Sequence, residues 1–144
     1  MMFWAPNVED MPPDFIGRHL NAVAAKHEAE RGRACAFDRD TVAWLDGEAR
    51  SLRGVQPSEF TLTALGLALG QCFLESYGGT WALITGQLED GKKLLAANIA
   101  PKVYVVPWLK VRGYVDGDDA DSFVGFFRAA ATYERPHDTP QFLS

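Results

Sequence analysis

At 144 residues, 47% of them hydrophobic and 23% charged, the chain is long enough to bury one core without a disulfide framework or a structural metal. Nineteen acidic against fourteen basic residues leave a net charge of -5, which argues against sequence-independent nucleic-acid binding, a property of clustered Lys and Arg. The two cysteines, Cys35 and Cys72, are too few for a disulfide scaffold or a Cys-rich zinc site.

In chain order, residues 1–13 carry Pro6, Pro12 and Pro13 and predict an irregular arm, with Phe3 and Trp4 able to fold back onto the domain. The opening residues lack the basic stretch and long apolar run of a signal peptide, and no segment reaches the ~20 apolar residues of a membrane span. A cytoplasmic location with no membrane partner is therefore expected. A first helix is expected from Pro13 or Asp14, with Phe15, Ile16, Leu20, Val23 and Ala24 on one broad face and Gly32 as its stop. A second, over residues 40–52, places Val42, Leu45, Ala49 and Leu52 at 3-4-3 spacing behind Asp38 or Asp40 as cap.

The third helix has the strongest pattern. Leu62, Leu65, Leu69, Phe73 and Tyr77 form a long apolar stripe behind Ser58 or Thr61 as cap, and Gly78-Gly79 ends it. Gly66 and Gly70 lie four apart on one face and predict the close approach of another backbone. Past the glycine pair the period changes to that of strands. Trp81-Ala82-Leu83-Ile84-Thr85, residues 94–99 and Val103-Tyr104-Val105-Val106 predict an antiparallel meander of three strands. One of its faces should pack on the helices, leaving the other face or an edge for solvent or a partner. A short helix over residues 108–115 follows, then a final one capped by Asp119 or Asp121 and carrying Phe123, Val124, Phe126 and Phe127. Residues 133–144, with Pro136 and Pro140, read as an irregular tail. The expected architecture is a single α+β domain over residues 1–144, its N-terminal helices packed on a small three-stranded antiparallel sheet and followed by C-terminal helix.

Motifs that would carry chemistry are weak. His19 and His27 are eight residues apart, ~12 Å along a helix, too far to chelate one ion together, and His137 lies in the tail. Asp116-Gly117-Asp118-Asp119-Ala120-Asp121 fails as an EF-hand loop: glycine stands second rather than sixth, and Phe127 occupies the twelfth place. The run reads instead as a solvated turn before a helix N-terminus. Thr85 to Lys93 lacks the phosphate-loop pattern, since Lys93 stands where Ser or Thr is required, and Glu89-Asp90-Gly91 reads as a hairpin turn. Neither the serines nor the cysteines sit in a nucleophile motif. No catalytic residue, metal ligand or cofactor is assigned.

Leu65-Gly66-Leu67-Ala68-Leu69-Gly70, Gly78-Gly79-Thr80-Trp81, Val103-Tyr104-Val105-Val106-Pro107 and the segment 111–118 together resemble a family of small bacterial domains of unknown function. The resemblance covers roughly residues 60–130. It implies an α+β fold and transfers no active residues.

The role expected from the sequence is non-enzymatic recognition of another protein, or self-association, with a bacterial accessory or immunity-like protein as one specific version. Trp108, Lys110, Arg112 and Tyr114 are the expected protein-binding residues, an aromatic and cationic run following a strand. Trp44, Trp108 and Tyr114 are equally the aromatics that would line a groove if they are not core. The competing reading is a small-molecule-binding domain or enzyme with a pocket between sheet and helices. A deep apolar cavity with convergent polar groups would favour it, whereas an exposed hydrophobic edge would favour a protein partner.

Overall fold

The computed structural model describes residues 4–8, 12–85, 92–119, 122–133 and 139–144. Three helices come first: α1 (Phe15–Arg31), α2 (Arg39–Ser51) and α3 (Glu59–Tyr77). Their ends follow local chemistry. Gly32 takes the left-handed conformation that closes α1, its N–H bonding to the Glu28 carbonyl. Asp38 accepts the Thr41 N–H at 3.1 Å while the Thr41 hydroxyl accepts the Asp38 N–H, a reciprocal cap on α2 that holds the Asp38 carboxyl below its usual range. Ser58 caps α3 through Thr61 N–H.

The chain then forms β1 (Thr80–Ile84), β2 (Leu94–Ala100) and β3 (Val103–Val105), antiparallel in sequence order, as the tendency of sequential strands to neighbour one another predicts. Pro101 and Lys102 make the tight turn between β2 and β3, with Lys102 at φ 61° where a type II turn needs a positive φ. Next come α4 (Trp108–Val115), α5 (Phe123–Ala129) and a 3-10 turn at Ala130–Tyr133.

The sheet departs from expectation at its far side. Residues read as irregular tail supply a fourth strand, β4 (Gln141–Leu143), parallel to β3, so the sheet is mixed and four-stranded with order β1-β2-β3-β4. Three residues after a proline are too few to show alternation. Their pairing comes from the chain's return past α4 and α5, where Gln141 N–H reaches the Lys102 carbonyl and Val106 N–H the Leu143 carbonyl, each at 2.7 Å. The α+β class stands.

Helix α3 is the centre of the fold, and its glycines explain how the sheet lies on it. A Cβ on Gly66 would overlap the indole of Trp108, and one on Gly70 the indole of Trp81. The small-residue face therefore receives two tryptophan rings rather than another backbone, which corrects the expectation while keeping its steric cause. Each indole N–H is also satisfied: Trp108 Nε1 donates to the Leu95 carbonyl at 2.9 Å and Trp81 Nε1 to Gln71 Oε1 at 3.0 Å. Gly79, at φ 108°, brings its backbone against the Asn98 carbonyl where no side chain would fit, and so starts β1 alongside β2.

Two apolar clusters result. The larger joins α2, α3, α4 and α5 around Leu45, Leu69, Phe73, Val111 and Phe123. The smaller gathers Leu67, Leu94, Ala96, Val106 and Trp108 with Val8 of the N-terminal arm, and Trp4 stands edge-on to Trp108 at 5.9 Å. The arm thus folds back, and β2 is buried on both faces over its first four residues. The cap on α5 also differs from expectation. Ser122, next to the expected aspartates, accepts the Gly125 N–H, while the buried Asp46 of α2 accepts the Phe123 N–H at 2.8 Å from 77 residues away. Asp121 lies outside the described residues.

Candidate functional site

The four residues expected to form a binding surface do not meet on one. Trp108 is fully buried against Gly66, and Tyr114 is buried against Phe123, so both belong to the core. On an eight-residue helix one face must enter the protein, and the three- and four-residue spacing of Trp108, Val111, Tyr114 and Val115 puts both rings on that face. Of the remaining two, Arg112 is exposed and pairs with Asp116 at 3.1 Å, and Lys110 is half-buried with its ammonium 5.4 Å from the Phe126 ring centre.

The acidic turn is likewise engaged with arginines. Asp119 lies 2.9 Å from Arg53, whose Nε donates to the Tyr114 carbonyl and whose guanidinium stands over the Tyr114 ring, tying the end of α2 to α4. Among the described residues no group of three or more His, Cys, Asp or Glu is placed to hold a metal ion. The phosphate-like loop, the Glu89-Asp90-Gly91 turn and His137 fall at least partly outside the described residues.

His19 and His27 are buried among aromatic rings. His19 stacks on Phe60 at 4.3 Å and contacts the Phe15 carbonyl through Nδ1 at 2.7 Å. His27 meets Trp44 edge-on at 5.1 Å. Burial pushes the Cys72 thiol well above its ordinary value, which suppresses the thiolate that nucleophilic chemistry requires. The more exposed Cys35 contacts the Thr41 hydroxyl.

Two surface features bear most directly on the expected readings. The first is an open groove of about 190 Å³ between α1, α2 and α3, floored by Val23, Trp44, Leu45 and Leu65. Trp44 is the one of the three suspected aromatics that lines a groove. This groove lies between helices, while a larger open cleft of about 410 Å³ lies between β4 and the helices α4 and α5, lined by Lys110, Phe126 and Phe142. The charged groups at the margin of the α1–α2–α3 groove, Lys26 and Glu48, are already paired with each other. That hydrogen bond raises the Lys26 pKa. A satisfied ion pair over an apolar floor offers no convergent polar groups to orient a small ligand.

The second feature is the β1 edge. Thr80–Ile84 pairs with β2 on one side, and among the described residues nothing hydrogen-bonds to its backbone on the other. The strand holds no charge, no proline and no irregularity in its register with β2. Trp81 points at α3, so Leu83, two residues on, belongs to the same helix-facing side. Leu83 is nonetheless 46% exposed, because an edge strand extends past the ridge that α3 covers. Lys92 and Lys93 precede β2 and lie outside β1. The apolar run after the glycine pair marked β1 as a strand, but only the sheet order shows it to be an edge.

Comparison with known proteins found no matching family model, no matching curated protein and no matching solved structure. No helix among the described residues is long and apolar enough to cross a membrane. The functional reading therefore rests on the exposed surface itself.

Proposed function

We propose that this chain is a protein-interaction module that acts without catalysing a reaction, and that its contact surface is the open edge of the sheet at β1. The carrying observation is the combination at Thr80–Ile84: a regular five-residue edge, free of charge, with Leu83 left 46% exposed. Natural edge strands are commonly blunted by charges, prolines, bulges or short length, because a bare edge templates pairing with another chain. An edge without those devices supplies main-chain hydrogen bonds for affinity and alternate side chains for selectivity. The accessory role anticipated from the sequence, immunity-like or otherwise, is one use of such a module.

The test is affinity capture from the native cell extract with wild type and Leu83→Lys, both checked for folding by circular dichroism. A charge at an exposed edge position leaves the core untouched and should remove the specifically captured protein, another copy of the chain included. Capture that is identical for the two proteins overturns the assignment to β1.

A further inference from the structure

We propose that the occupant of the β1 edge is a second copy of this chain, paired antiparallel about Ala82 to give a continuous eight-stranded sheet. The inference rests on the reading of β1 as the contact surface and names its partner. Its first support is register. A two-fold axis perpendicular to the sheet keeps each residue on the same face in both copies, so only registers centred on a residue are allowed. Centring on Ala82 alone pairs the whole strand: Ala82 with Ala82, Thr80 with Ile84 of the second copy, and Trp81 with Leu83 of the second copy. The last pair occurs twice by symmetry and covers the exposed Leu83 with a tryptophan on the helix-facing side. Aromatic–aliphatic cross-strand pairs of this kind are favourable.

The second support is charge. Glu75 lies near the C-terminal end of α3, bonded to Gln71 Nε2 at 2.9 Å, and Gln71 in turn accepts the Trp81 indole N–H, so the carboxylate sits beside the β1 edge. No basic residue occupies the last turn of α3, where the helix dipole adds negative potential. At the other end of β1 the ladder closes with Ile84 opposite Leu94, and Lys93 is the residue just before β2. Carrying that register one residue further places Lys93 beside Thr85 and on the face of Leu95, the helix-facing side. Among the described residues neither Glu75 nor Lys93 forms an ion pair. In the Ala82-centred pairing Thr85 stands opposite Gly79 of the second copy. Lys93 is then about 10 Å, two strand spacings, from the strand start next to Glu75 of that copy, a span that the two side chains cover together. The match repeats across the axis. A pair of copies that each carry -5 meets here through its locally opposite charges.

Light scattering with size-exclusion chromatography over roughly 10 μM to 1 mM reads the association, a range suited to a small edge-strand interface. Wild type should move from 15.9 kDa toward about twice that mass as concentration rises. Leu83→Lys should stay monomeric. Lys93→Glu and Glu75→Lys, both at exposed positions outside β1, should each weaken the dimer about tenfold, while the double charge reversal restores wild-type association. Glu75→Gln, which keeps an acceptor for Gln71, controls for loss of that hydrogen bond and should weaken the dimer less than Glu75→Lys.

A wild type that stays monomeric throughout overturns the second-copy proposal, as does a double reversal no better than either single variant. In both cases, loss of a captured protein by Leu83→Lys would leave the β1 reading standing with a different partner. Indifference of both capture and mass to Leu83→Lys would remove the two together.

Discussion

The two edges of the sheet have the same backbone chemistry and are treated differently. β4 is three residues long, fixed by parallel pairing to β3 and by the stack of Phe142 on Tyr104 at 5.5 Å. Brevity limits what could pair with it. β1 is five residues long, regular and uncharged, and it is held by its ladder with β2 and by Trp81, seated over Gly70 and bonded to Gln71. One edge offers only three residues. The other is anchored and, among the described residues, unpaired along its outer side, which is what the proposed main-chain recognition requires.

The largest effect that would break this contrast is expected at the seat of Trp81. Gly70→Ala forces the indole off α3 and should destabilise the protein by about 1–3 kcal/mol, the usual range for overpacking a close contact. Denaturant titration gives the magnitude, and amide exchange should rise more in Thr80–Ile84 than in Gln141–Leu143. Equal acceleration in both strands would mean that Trp81 is not what anchors the open edge. Phe142→Ala is the mirror experiment. Losing the stack on Tyr104 should cost about 1 kcal/mol and loosen β4 while leaving β1 protected.

A smaller change, remote from both edges, sharpens the comparison by supplying a baseline. Thr41 N–H lowers the Asp38 pKa, so Asp38 stabilises the fold above its unfolded value, and that contribution is lost as pH falls through the lower folded value. Asp38→Asn keeps a capping oxygen and removes the titration. Acid denaturation of the variant should be slightly less steep in the carboxylate range, with exchange in β1 and β4 altered equally. A selective change at either strand would show that the α2 cap communicates with the sheet.

Much of the helical framework was legible because periodicity and capping act within one or two turns. The Asp38–Thr41 cap, the Gly32 stop and the α3 stripe all lie in short windows of sequence, and so do the three antiparallel strands with their alternation and proline bounds. The candidate site was not legible in the same way. In Trp108-Leu109-Lys110-Val111-Arg112-Gly113-Tyr114, aromatics spaced among cations read alike for a binding face and for a half-buried helix. Gly66 decided between them by leaving room for an indole. Asp46 gave no sign that it would bond to Phe123, since nothing local links positions 77 residues apart.

The sequence by itself determined where the chain is helical, where it is extended and which residues are too small to keep neighbours away, because those properties depend on near neighbours along the chain. Only the tertiary structure decided that tryptophan rings fill the space over Gly66 and Gly70, that residues 141–143 form one edge of the sheet, and that β1 forms the other, with nothing among the described residues paired to its outer side. Those outcomes depend on which segments arrive next to one another, and a strand's own residues do not encode whether a further strand will lie beside it.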